Sequence, residues 1–270
     1  MEFFVDTADL DEIREAYTWG ITDGVTTNPS LIKRACDKLK SSGSNMSLES
    51  YIEEILTVAN GDPVSLEVIA STEDEMLRQG LYLFERFNPV AQNVVVKIPV
   101  NTDMVGDGAV AFDGLKVIKK LADEGIPVNT TLIFSPEQAL LAAKAGAAYV
   151  SPFAGRIDDD LRTTIGAAFD KTDYYPEEGH DGYDDNGVVS GVDLVSQCVD
   201  IIAIHDLSHC KVLAASLRNP RQVRECALAG SQVATMPFGV MRDMAGHRKT
   251  IEGMKAFTAD VVPEYSKLFE

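Results

Sequence analysis

Val94-Val95-Val96-Lys97-Ile98-Pro99 is a short apolar run with a single lysine inside it. Its β-branched residues suit a pleated strand. The lack of polar alternation means that both faces are buried, as in a parallel sheet covered by helices. Similar runs occupy residues 3–5, 24–27, 64–68, 128–132, 149–152, 211–215 and 232–236. Amphipathic stretches at 74–87, 112–124, 136–145, 192–205 and 220–229 lie between them and carry helical spacing. Two begin with a capping residue followed by proline, Ser135-Pro136 and Asn219-Pro220, which is a helix start signal. Strands alternating with helices over 270 residues predict an α/β fold, the (β/α)8 TIM barrel. The alternative is a doubly wound open sheet, but the first strand is followed by Asp6-Thr7-Ala8-Asp9 and not by the glycine-rich phosphate turn of that fold.

With no repeat or interdomain linker in view, one domain is expected over residues 1–270. Two stretches break the rhythm. Residues 158–187 are acidic and rich in Gly and Tyr, and are expected to form an inserted loop after the sixth strand, either over the mouth of the barrel or as a solvated insertion. Residues 101–113, after the fourth strand, are a milder case, and the C-terminal run 250–270 reads either as an arm that contacts a neighbouring subunit or as the eighth helix plus a tail. A net charge of −18 argues against nucleic acid as partner, because that affinity rests on Lys and Arg neutralising phosphates. No apolar run approaches the roughly 20 residues of a membrane span, and Met1-Glu2-Phe3-Phe4-Val5-Asp6 lacks the features of a secretory signal, so a cytoplasmic location is expected. Cys36, Cys198, Cys210 and Cys226 are widely spaced, and the histidines do not gather at strand ends. No metal site and no cofactor are expected.

Barrels of this kind carry their chemistry at the C-terminal ends of the strands. The polar residues placed there are Asp6 on the first strand, Thr26 and Asn28 at the second, Glu67 on the third and Lys97 on the fourth. Asn129 and Thr131 lie on the fifth, Ser151 and Arg156 at the sixth, and Ser216 and Arg218 after the seventh. A lysine among valines must be paired or lose its charge, since burying an ammonium is costly. Desolvation favours the neutral amine, which attacks a ketone to form an iminium; an ion pair with Asp6 or Glu67 that merely plugs the barrel is the other reading. Asp6 and Glu67 have the chemistry to move protons in such a reaction, although Asp6 could instead cap a helix at 7–15. Ser216 and Arg218, just ahead of the helix start at Pro220, suit an anion cradle, with Arg156 as a second guanidinium; a surface ion pair for each arginine is the other reading.

Taken in order, Val5-Asp6-Thr7, Thr26-Thr27-Asn28-Pro29-Ser30, Val96-Lys97-Ile98-Pro99, Ser151-Pro152-Phe153-Ala154-Gly155-Arg156 and Ser216-Leu217-Arg218-Asn219-Pro220 resemble the transaldolase family, in its small transaldolase and fructose-6-phosphate aldolase-like group. The resemblance implies a (β/α)8 barrel and a Schiff base between Lys97 and C2 of a ketose phosphate. Asp6 would act on the C4 hydroxyl, and Glu67 would hold the water that shuttles protons. Asn28, Asn129, Thr131 and Ser151 match positions at the dihydroxyacetone end, and Arg156, Ser216 and Arg218 match the phosphate end. In the aldolases the positions of Glu67 and Phe153 carry Gln and Tyr; Glu and Phe here imply transfer of the dihydroxyacetone unit, with its release as the alternative. The implied donor is fructose 6-phosphate or sedoheptulose 7-phosphate, within the non-oxidative pentose phosphate pathway. A non-standard anionic sugar is a further alternative, and a non-catalytic sugar-phosphate-binding barrel is the reading from another class. A homo-oligomer is expected, with sugar phosphates as the only other partners.

Overall fold

The computed structural model describes residues 1–43, 45–104, 110–180 and 182–270. Residues 105–109 of the expected 101–113 loop, and Asp181 of the expected insertion, lie outside these. The chain opens with β1 (Glu2–Asp6), α1 (Leu10–Thr18), β2 (Gly24–Thr26), α2 (Pro29–Ser41) and α3 (Leu48–Ala59). It continues through β3 (Val64–Glu67), α4 (Glu73–Ala91), β4 (Val94–Pro99), α5 (Asp113–Asp123), β5 (Val128–Ile133) and α6 (Pro136–Ala145). Then come β6 (Tyr149–Pro152), α7 (Ala154–Thr164), α8 (Gly191–Ile204), β7 (Lys211–Ala214), α9 (Pro220–Leu228) and β8 (Val233–Met236). The tail holds α10 (Phe238–Asp243), α11 (Arg248–Ala259) and α12 (Pro263–Ser266). The strands close in sequence order, β8 pairing with β1, and every pairing is parallel. The fold is a (β/α)8 barrel, and each strand falls within a residue or two of the run that predicted it.

Two apolar layers hold this shape. The larger lies between strands and helices and includes Ile13, Ile55, Leu56, Ile118 and Leu121, all fully buried. The smaller is the barrel interior, where Phe4, Leu213 and Val233 pack with Tyr149, the Phe4 and Tyr149 rings 6.1 Å apart. Leu213, Ala215 and Phe153 of this layer also form part of the wall of the cavity lined by Asp6, Lys97 and Ser151. Helix starts obey the local signals: Ser135 accepts from the N–H of Gln138 and Asn219 from that of Gln222, each with proline next. Asp6 is not a cap. Asp9 caps α1, accepting from the N–H of Asp11 at 3.0 Å, because the chain runs three residues beyond the strand before it turns.

The expected insertion at 158–187 begins inside α7, so its first residues are helical. Its described remainder packs beside α7 and α9 rather than across the mouth. Arg162 donates to the Asp173 carbonyl at 2.7 Å and lies over the Phe169 and Tyr175 rings, while Arg221 covers the Tyr174 ring at 3.5 Å. In the tail, α11 has no buried residue, and Met254, Phe257, Leu268 and Phe269 are exposed. Among the described residues no helix is long and apolar enough to cross a membrane.

One of the tight backbone contacts is at Gly155 of α7, where a Cβ would lie 2.1 Å from the carbonyl oxygen of Ser216. Backbone meets backbone there, so neither side has a rotamer with which to yield. Gly155→Ala is expected to cost about 2–3 kcal/mol of stability, read as a fall in the denaturant midpoint. A cost under about 0.5 kcal/mol would show that the loop after β7 is free to move away.

Candidate active site

Parallel register sets the site. Glu67 of β3 pairs with Lys97 of β4, and Lys97 with Asn129 of β5, so three polar side chains share one level of the barrel. Lys97 is 5% exposed, and its Nζ lies 3.0 Å from Glu67 Oε2 and donates to the Thr27 carbonyl at 3.2 Å. Of the two outcomes open to a lysine among valines, the structure shows pairing, and the partner is Glu67. Beside it, Ser151 donates to Asn129 Oδ1 at 2.7 Å, and Asn129 Nδ2 donates to Ser65 Oγ at 3.1 Å. This chain fixes the Asn129 amide next to the lysine. Thr131 is buried one step higher, and its hydroxyl makes no hydrogen bond among the described residues.

Asp6 lies on the other side of the amine. It accepts from Thr26 Oγ1 at 2.7 Å, and Thr26 in turn pairs with the Thr235 hydroxyl. Burial pushes the Asp6 carboxyl above the ordinary carboxylate range, although the Lys97 charge, the Thr26 hydroxyl and the Arg34 guanidinium each pull it back. A carboxylate raised in this way is a stronger base than an exposed one, as a residue that takes and returns a proton requires. Asn28 caps α2 through Oδ1, which accepts from the Leu31 N–H at 3.0 Å and leaves the amide NH2 for the cavity.

A cavity of about 110 Å³ lies above Lys97. Asp6, Thr26, Asn28, Asn129, Ser151, Phe153, Arg156 and Ser216 all line it, and it adjoins a second cavity of about 330 Å³ on the side of Asp6 and Arg34. Phe153 packs edge-on against Phe134, with the Arg156 guanidinium 5.1 Å over its ring. Three expected residues stand apart from the cavity wall. Glu67 reaches it only through Lys97, Thr131 is enclosed, and Arg218 is turned into the fold. Arg218 Nη2 donates to Asp159 Oδ2 at 2.8 Å and Nε to the Ser216 carbonyl at 3.2 Å, so it braces the loop on which Ser216 sits.

Sequence reading passed over Thr235, Ser65 and Arg34. Thr235 and Ser65 carried a usable signal, as hydroxyls inside buried strands. Arg34 carried none, being one of several cations on α2. Among the described residues no group of three or more His, Cys, Asp or Glu side chains is arranged to hold a metal ion.

A closed eight-stranded barrel with a buried lysine, facing carboxylates and a small polar mouth defines a (β/α)8-barrel enzyme. The family model for transaldolase/fructose-6-phosphate aldolase matches residues 3–269. A Clostridium perfringens protein described as a probable transaldolase is 39% identical over 269 residues, covering 100% of this chain and 99% of that one. Counterparts so described from Chlorobium phaeobacteroides and Thermus thermophilus are 42% and 38% identical, each over 96% of this chain and 96–97% of theirs. The chain belongs to the transaldolase/fructose-6-phosphate aldolase family.

Proposed function

We propose that the protein is a transaldolase that works through a Schiff base on Lys97. The observation that carries this reading is the 3.0 Å contact between Glu67 and the Nζ of Lys97, which lines one cavity together with Asp6. Glu67 accepts the ammonium proton, and the freed amine adds to the C2 carbonyl of a ketose phosphate. Loss of water from the carbinolamine leaves the iminium, an electron sink at C2. Asp6 then takes the C4 hydroxyl proton as the C3–C4 bond breaks, the bonding pair passing into the enamine and the aldose phosphate departing. The enamine attacks the carbonyl carbon of an acceptor aldehyde, Asp6 returns the proton to the new hydroxyl, and hydrolysis frees Lys97. Arg156 and Ser216 would hold the phosphate, while Asn28, Asn129 and Ser151 would hold the dihydroxyacetone hydroxyls.

Transfer, not release, is favoured by Phe153, which lines the cavity and has no hydroxyl with which to protonate the enamine. With fructose 6-phosphate as donor, glyceraldehyde 3-phosphate should accumulate only when erythrose 4-phosphate is present. Release of dihydroxyacetone at a comparable rate without an acceptor would make the protein an aldolase instead. Phe153→Tyr should raise acceptor-independent release by about tenfold or more, assayed by coupled reduction of dihydroxyacetone. An unchanged release rate would remove Phe153 as the determinant.

A further inference from the structure

Asp158 lies on α7 two residues beyond Arg156, is 4% exposed, and takes no part in the reaction described above. Both of its oxygens are committed. Oδ1 accepts from the Gly191 N–H at the start of α8, and Oδ2 accepts from Gln222 Nε2 on α9, each at 2.7 Å. The carbonyl end of Gln222 accepts from the backbone N–H of Arg218 at 2.9 Å. Asp158 is thus joined in two steps to the loop between β7 and α9. That loop needs holding, because Ser216 sits at a φ of 60°, a left-handed conformation that costs a non-glycine residue roughly 1 kcal/mol or more. The surroundings leave little slack: a Cβ at Gly191 would meet the Ala154 carbonyl at 2.1 Å, as one at Gly155 would meet that of Ser216.

Stability alone is a poor reason for this carboxylate. Burial pushes the Asp158 carboxyl up to about 6, with the Gly191 N–H and the Arg162 charge pulling it back. A carboxyl whose folded-state value is raised weighs against the fold once the pH passes that value. Only a carboxylate, however, offers an acceptor to each of two donors. An amide would present its own NH2 to one of them. If it faced Gln222, that side chain would have to rotate and release the Arg218 N–H.

We propose that Asp158 is a positioning residue for the sugar-phosphate pocket, setting through Gln222 the placement of the loop that carries Ser216. The inference rests on the reading of Arg156 and Ser216 as the phosphate site. Two probes separate the pocket from the lysine: fructose 6-phosphate, which uses both, and dihydroxyacetone, which has no phosphate. Each is trapped on the full-length protein with borohydride over a range of concentrations. Asp158→Asn should raise the half-saturating fructose 6-phosphate concentration about tenfold or more and leave that of dihydroxyacetone within about twofold. Asp158→Asn combined with Gln222→Glu reverses the donor and acceptor roles of the pair, and should restore fructose 6-phosphate to within about threefold of the unaltered protein. An equal loss for both probes, or a failure of the second change to rescue, overturns the proposal. Arg156→Gln is the control. If it raises the fructose 6-phosphate value and Asp158→Asn does not, the positioning role falls alone; if it changes nothing, the phosphate-site reading falls and takes the positioning role with it.

Discussion

Lys97→Met should abolish the borohydride-trapped adduct and lower turnover by roughly four orders of magnitude or more, as removal of a covalent nucleophile does. The same change should destabilise the protein. Glu67 is 15% exposed at its side chain and faces Nζ at 3.0 Å. Removing one member of such a pair strands the other, at a cost of about 3–5 kcal/mol for a fully buried case and toward the lower figure here. Adding Glu67→Gln to Lys97→Met should recover much of that stability, seen as a return of the thermal midpoint, with no recovery of turnover. The combined result separates the two roles of the pair. Residual trapping in Lys97→Met, found by mass on another peptide, would move the nucleophile elsewhere and end the mechanism proposed here.

Asp6→Asn should split the reaction. With the amine intact, the ketose still becomes attached and the trapped adduct still forms. Cleavage of C3–C4 loses its proton acceptor and should slow by about 10²–10⁴-fold, measured as glyceraldehyde 3-phosphate release. Stability moves differently. Burial raises the Asp6 carboxyl, so the folded chain holds that proton more tightly than the unfolded chain does. Its stabilising contribution is complete below the unfolded value and is lost as the pH rises through the folded one. Above the unfolded value that contribution declines. Asparagine keeps an acceptor for Thr26 without the charge, so the thermal midpoint at pH 7 should not fall. Loss of adduct and of cleavage together would assign Asp6 to Schiff-base formation instead.

The fold was legible because parallel strands buried on both faces announce themselves as unbroken β-branched runs, and Ser135-Pro136 and Asn219-Pro220 mark helix starts by local chemistry alone. The mouth was legible for a similar reason: a polar residue inside such a run, as at Lys97 or Asn129, has no apolar explanation. Partnership across the fold was harder to read. Asp159 and Arg218 meet over 59 positions and Asp158 and Gln222 over 64, and no local pattern says that Arg218 turns inward while Arg156 lines the cavity. The loop at 158–187 was expected over the mouth because it follows the sixth strand. Its composition correctly signals exposure for most of its described residues, but nothing local says that Tyr175 within it is buried against Arg162, beside α7.

The hydroxyl chain from Asp6 through Thr26 to Thr235 joins the first, second and last strands of the barrel. During synthesis, the carboxylate at position 6 therefore emerges long before the residue that completes its surroundings. The amine at position 97 also emerges before that seam can form. If the proposed chemistry holds, adduct formation with a ketose is expected only after ring closure, and would time the end of folding.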